Sequence, residues 1–175
     1  MTELDFATWS DRIFSTLLRH DIRQVAYVPD AGHLHLIDRC ISSEQIVSVP
    51  LTTEEEGVAL LAGAWLGGDR GVLLMQSSGV GNCLNMFSLT RVCQLPLLML
   101  VTMRGEQGEF NPWQIPMGQS AGKLLTTAGV QTFPVFDNSQ LADTVDEAAR
   151  QVFENSVAAA VLISQSILGT KTFEN

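Results

Sequence analysis

Three consecutive glutamates, Glu54, Glu55 and Glu56, head a run, residues 57–68, that carries no charge. Carboxylates serve general acid–base chemistry, and one held out of water by apolar neighbours exchanges protons near neutral pH. Gly57, Ala59, Ala62, Gly63 and Ala64 are small enough for this helix to pack closely and keep its first turn dry. Part of the acidity has a local purpose. Thr53 with Glu56 reads as a capping box, Thr52 with Glu55 reads as another, and Glu54 at the first helical position suits the macrodipole. Charge pattern alone describes a solvated helix start, so the case for chemistry rests on the small residues behind the triplet.

Other chemistry-bearing groups lie on segments that punctuate apolar runs. The stretch SSGVGN, 77–82, follows an apolar run and opens a helical one, the setting of a phosphate-binding turn. It lacks the Gly-Lys-Ser/Thr of a P-loop, and Leu84 stands where the third glycine of a dinucleotide fingerprint belongs. A glycine turn that lets backbone approach a ligand and a merely tight turn both remain open. His33 and His35 are two residues apart, a spacing that puts them on different helical faces and makes no paired metal site. His20 closes the first helix, where a cation suits the dipole. No Ser-His-Asp or Cys-His arrangement can be assembled.

The elements that must position these groups alternate. Phe6, Trp9, Ile13, Phe14, Leu17 and Leu18 give an amphipathic helix over 5–21. QVAYVP and QIVSVP read as strands separated by a short helix, GHLHLIDRC. The acidic-headed helix ends at Gly67-Gly68. GVLLMQ, PLLMLVT and AAAVLIS are continuous apolar runs, the mark of strands buried on both faces. GVGNCLNMFSLTRVCQ reads as one helix, 103–117 as a long loop, 118–128 as a helix, QTFPVF as a strand and 138–154 as a helix; the tail from Gln165 has no assignment. This pattern predicts an α/β fold: a mostly parallel sheet of about six strands in three layers, with helices on both faces. Ligands of such sheets sit beyond the carboxyl ends of the strands, here the loops 29–33, 50–55, 76–82 and 102–117.

Composition sets the limits. The 175 residues suit one domain, 1–175, with an ordered core to about 168 and a short tail. Charged residues are only 17% and apolar ones 46%, which suggests surface buried against a partner. A net charge of −9 argues against nucleic acid or an anionic membrane. Cys40, Cys83 and Cys93 lack CxxC spacing and fit a reduced compartment. With neither a signal peptide nor a membrane span legible, a cytoplasmic protein is expected.

Five blocks in order, VPD (28–30), EEEGVALLAGA (54–64), MQSSGVGNCLN (75–85), PLLMLVTMRG (96–105) and QIPMG (114–118), resemble the pyrimidine-binding domain of thiamine diphosphate enzymes. The likeness is nearest to sulfopyruvate decarboxylase alpha subunits and the matching half of phosphonopyruvate decarboxylases. It implies a subunit of a 2-oxo acid decarboxylase. The family's catalytic glutamate precedes by two residues the glycine that opens the small-residue helix, which is Glu55 here. Its carboxyl would hydrogen-bond N1′ of the cofactor's aminopyrimidine, with Pro29, Gly79 and Asn82 also meeting the cofactor. His33, Arg104 and Gln114 would face substrate, and Trp113 would suit a bulkier or aromatic one.

The family also binds diphosphate through magnesium held by a Gly-Asp-Gly motif. The nearest string here, Gly68-Asp69-Arg70-Gly71, does not match. The resemblance therefore implies a separate diphosphate-binding subunit that carries the Mg2+, with self-association as well. The chain departs from the family at Ala31-Gly32-His33, where a serine is usual, and in the loop after Arg104. Those departures leave open a lyase or carboligase on the same cofactor. A non-catalytic flavodoxin-like binding or regulatory subunit is the rival from another class.

Overall fold

The computed structural model describes the backbone of residues 3–168 and side chains from Trp9 onward. Helix α1 (Glu3–Arg19) leads into β1 (Ile22–Tyr27), α2 (Leu34–Ile41), β2 (Val47–Pro50), α3 (Glu54–Leu66) and β3 (Arg70–Gln76). A 3-10 turn at Ser77–Gly79 precedes α4 (Val80–Cys83), α5 (Phe87–Cys93) and β4 (Leu97–Thr102). A second 3-10 turn, Pro112–Gln114, enters α6 (Ile115–Thr127), followed by β5 (Gln131–Val135), α7 (Asn138–Asn155), β6 (Ala158–Ile163) and α8 (Gln165–Leu168). The six strands form one parallel sheet in the order β2-β1-β3-β4-β6-β5.

Continuous apolar strands arise because both faces of the sheet are covered. Along β4, Leu98 and Leu100 join the core shared with Trp9 and Ile13 of α1, Leu36 of α2 and Leu141 and Val145 of α7. Leu97, Met99 and Val101 point the other way, into the core shared with Val58 and Leu61 of α3, Phe87 of α5 and Leu125 of α6. Period-2 alternation within an unbroken apolar run makes a three-layer sandwich. Close packing of α3 is visible at Gly57, where an added Cβ would lie 2.6 Å from Cδ1 of Leu73.

The chain runs outward from β1 to β2, returns past β1 to β3, and later reaches the far edge at β5 before β6 fills the gap beside β4. Helix α2, which follows β1, packs on one face, and α4 and α5, which follow β3, on the other, so the loops leaving β1 and β3 diverge and open a crevice at their carboxyl ends.

Several element boundaries differ from the sequence reading. The expected helix over 79–94 is broken at residues 84–86, where Ser88 and Leu89 reach back three residues to the carbonyls of Asn85 and Met86. Gly81, Asn82 and Asn85 are poor helix formers and allow the break. Helix α6 starts at Ile115 rather than 118, with Pro116 in its first turn, where a missing N–H costs nothing. The unassigned tail begins as a helical turn at Gln165–Leu168; residues 169–175 and the side chain of Phe6 lie outside the described residues. Among the described residues no helix is long and apolar enough to cross a membrane.

Candidate functional site

The glutamate triplet separates by direction. Thr53 is the extended residue before α3, yet its hydroxyl caps no backbone N–H and donates instead to Oε2 of Glu55 at 2.5 Å. Glu56 does reach back, but to the N–H of Thr52 (2.9 Å), one residue beyond the expected box partner. Glu54 turns inward. It is 7% exposed, its Oε2 accepts from Nδ2 of Asn82 at 2.7 Å, and the backbone of Gly79 lies against its carboxyl.

Glu55, the residue expected to meet the cofactor, lies at the surface of this chain taken without its expected partner. It is partly exposed, and the Thr53 hydroxyl and its own N–H hold its carboxyl below the ordinary range. In the chain alone such a carboxylate is charged and hydrated. The buried carboxylate of the triplet is Glu54, one residue earlier and about 100° around the helix. Gly79 and Asn82, both expected at the cofactor, meet Glu54. Pro29 is elsewhere, on a cavity wall.

A second polar cluster ties the loop after β1 to the ends of β3 and β4. Asp30 accepts from Thr102 Oγ1 (2.6 Å), the Gly32 N–H (3.1 Å) and Arg104 Nη2 (3.0 Å). The Arg104 N–H donates to Ser77 Oγ at 3.0 Å. Burial works against the Asp30 charge, but the His33 ring, the Thr102 hydroxyl and the Arg104 guanidinium outweigh it, and the carboxyl lies below its usual range. A buried ion pair of this kind fixes geometry more surely than it adds stability.

His33, expected to touch substrate, is fully buried, and its Nε2–H donates to the Leu100 carbonyl at 3.0 Å. Burial drives the ring toward its neutral form against the pull of Asp30. It braces α2 against β4, and its Nδ1 is buried without a hydrogen-bond partner.

Between the loops after β1, β3, β4 and β6 lies a cavity of about 240 Å³. Pro29, Asp30, Gln76, Arg104, Glu109 and Gln114 are among its walls, so two expected substrate residues, Arg104 and Gln114, do line one site. Gln76 was not foreseen, although it is the first polar residue at the carboxyl end of an apolar strand. Gln76 Oε1, Arg104 Nε and Gln114 Oε1 are buried without a partner in the protein. Native interiors keep few such atoms, and three along one wall mark a place for a ligand or water. Glu109 shapes the outer wall, accepting from the N–H groups of Gly105 (3.1 Å) and Asn111 (2.9 Å) and from Gln165 Nε2 (3.0 Å). Among the described residues no group of three His, Cys, Asp or Glu side chains could hold a metal ion.

Known proteins bear on this geometry. The profile of a family described as "Thiamine pyrophosphate enzyme, N-terminal TPP binding domain" matches residues 7–114. The alpha subunit of sulfopyruvate decarboxylase from Methanococcus maripaludis is 32% identical over 155 residues, 88% of this chain and 93% of that subunit. Phosphonopyruvate decarboxylase from Streptomyces viridochromogenes is 36% identical over 128 residues; the match covers 72% of this chain but only 31% of that protein. Among solved structures, a 2-oxoglutarate:ferredoxin oxidoreductase from Magnetococcus marinus superposes with a TM-score of 0.73 at 13% identity, over 91% of this chain and 29% of that one. That last likeness is one of fold alone.

Proposed function

Because the chain belongs to the family of thiamine pyrophosphate enzyme N-terminal binding domains, we propose that it is the pyrimidine-binding subunit of a two-chain thiamine diphosphate-dependent 2-oxo acid decarboxylase. The observation that carries this reading is the inward carboxyl of Glu54, bonded to Asn82 and lodged against the bare backbone of Gly79. The donor set fits the cofactor's aminopyrimidine. A side chain at 79 would collide with the carboxyl, so glycine there is what lets Glu54 lie against the backbone of the turn. When bound, thiamine diphosphate supplies an electron sink for breaking the bond between a carbonyl carbon and its carboxylate.

Each residue has a defined task. Glu54 would present its carboxyl to a ring nitrogen, and Asn82, donating to it, fixes its orientation. The carboxyl ends of β1, β3 and β4 present the cavity to a substrate, and the Asp30–Arg104 pair keeps its walls in place. The sulfopyruvate decarboxylase relatives are named as alpha subunits, which supports a second chain here. That chain would hold the diphosphate through Mg2+, a cation that takes hard oxygen ligands. Exposed Phe110, Trp113 and Phe136, on the loops after β4 and β5, provide apolar surface for it to cover. Three unpaired cysteines fit a cytoplasmic enzyme.

The test is a pair of substitutions in the complex assembled from both chains. Glu54→Gln should lower turnover by about 10²–10⁴-fold, the range for a lost acid–base group, with assembly unchanged. Glu55→Gln should stay within about threefold, since its carboxylate bonds only to neighbours on its own turn. Loss of turnover in Glu55→Gln with Glu54→Gln active would return the role to Glu55.

A further inference from the structure

Residues 108–111 supply the outer wall of the cavity, and from Glu106 to Trp113 no residue is buried. Burial of apolar side chains therefore does not hold this segment against the fold. Its ends are closed tightly instead. Gly105 lies so near the start of α6 that a Cβ there would stand 2.8 Å from Cα of Ile115 and 3.1 Å from the Gln114 carbonyl oxygen. The chain between them is a compact Ω-shaped loop, with Arg104 and Gln114 at its two ends. Such a loop needs polar groups to fasten it over the cavity.

Four hydrogen bonds do so, and they converge on the start of α8. Glu106 Oε2 accepts from Ser164 Oγ (2.6 Å) and from the Gln165 N–H (2.8 Å). The Gln165 side chain completes the clasp in both senses: Oε1 accepts from the Glu106 N–H (3.3 Å), and Nε2 donates to Glu109 Oε2 (3.0 Å). Glu109 passes the hold on by accepting from the N–H groups of Gly105 and Asn111. Only one orientation of the amide fits, because turning it would set oxygen against carboxylate and NH₂ against N–H. Gln165 is 9% exposed, so these bonds form largely away from water, where those to charged groups are strong. A glutamate in its place could accept but not donate. The residue also lies beyond residues 7–114, which the family profile matches.

We infer that Gln165 is a positioning residue for the site: it holds the 105–113 loop over the cavity and so fixes the wall that a substrate meets. It acts through the backbone of Glu106 and the carboxylate of Glu109. Its kinetic consequence rests on the decarboxylase reading above; the placement of the loop does not.

Hydrogen exchange in the two-chain complex reads the loop directly. Gln165→Ala and Gln165→Glu should each lower protection of the Gly105, Glu106 and Asn111 amides by about 10–100-fold, the factor for a lost hydrogen bond to a charged group. The Leu98 and Leu100 amides of β4 should keep theirs, which separates release of the loop from loss of the fold. Adding Glu109→Gln to Gln165→Glu puts a donor back between the two side chains, and protection should recover about tenfold. With thiamine diphosphate and Mg2+, sulfopyruvate and phosphonopyruvate serve as substrates. KM should rise about tenfold in Gln165→Glu with kcat within about threefold, the split expected when a binding wall is lost and the cofactor contacts are kept. Unchanged loop protection in both variants overturns the inference, as does an equal loss in β4. A fall in kcat at constant KM also overturns it. If the parent complex turns over neither acid, the decarboxylase reading fails for these substrates, and exchange alone decides the clasp.

Discussion

Gly79→Ala isolates the reason for a glycine at the turn after β3. Glycine there could serve conformation or space. Its φ of −72° and ψ of −18° are open to any residue, so conformation does not require it. Space does. A Cβ at 79 would lie 2.3 Å from Cδ and Oε1 of Glu54 and 2.4 Å from Cγ. Ordinary contact begins near 3.4 Å, so the carboxyl must retreat by about 1 Å and its bond to Asn82 must stretch or break. Misplacing a reacting group by about 1 Å costs about 10²-fold in rate, or about 2.7 kcal/mol of barrier. Stability should move much less. Alanine in a helical conformation gains about 0.4–1 kcal/mol by restricting the unfolded chain, which offsets part of the about 1–3 kcal/mol for overpacking against a flexible side chain. For a chain of this size that leaves a shift in Tm of a few degrees. Turnover and thermal melting of the assembled complex give the two numbers. Adding Glu54→Asp shortens the obstructing side chain, so stability should recover while turnover does not. Near-parent turnover in Gly79→Ala would refute the placement of the reacting carboxyl at Glu54. A collapse in Tm would show the glycine to be part of the fold instead.

Three further outcomes follow from the same coordinates. Gly118→Ala places a Cβ against the Arg104 carbonyl, a backbone contact that cannot swing aside; the loss should reach about 3 kcal/mol, the upper end for overpacking, and an unchanged urea midpoint would contradict the packing of α6 on the loop after β4. Burial holds the folded His33 ring neutral, while the unfolded ring titrates near about 6.5. The unfolded chain then binds more protons below that pH, so stability falls as pH drops from about 6.5, by up to about 1.4 kcal/mol per unit; urea melts of His33→Gln should lack this component, and an unchanged slope would exclude it. Burial pushes the Cys40 and Cys83 thiols up to about 12, so a thiol reagent at pH 8 should modify exposed Cys93 quickly and the other two only on unfolding.

The sheet was legible because its signal is local. Strands buried on both faces must be apolar at every position, and β3, β4 and β6 announce themselves by that alone. The site was legible only in part, because its decisive facts lie between segments far apart in the chain. Glu54 and Glu55 differ by one helical step, and the face of α3 that meets the sheet decides which is withdrawn from water. An amphipathic helix would have revealed that face, but α3 carries large apolar residues all round: Val58 and Leu61 inward, Leu66 outward. Glu54 shares the buried face with Gly57, Val58 and Leu61, at spacings of three, four and seven, a pattern that identifies it only once the sheet is placed. The burial of His33 was hidden for a related reason. A histidine on a loop at a strand end reads as a ligand contact, and the Leu100 carbonyl that claims it comes from a strand 67 residues away. Gln76 could have been found, since the first polar side chain after an apolar parallel strand stands at the end where such sheets bind ligands. Apolar pattern thus locates the end of the sheet where such folds bind ligands, while the carboxylate withdrawn from water there is chosen by contacts such as Glu54 with Asn82 and Gly79, which no local periodicity contains.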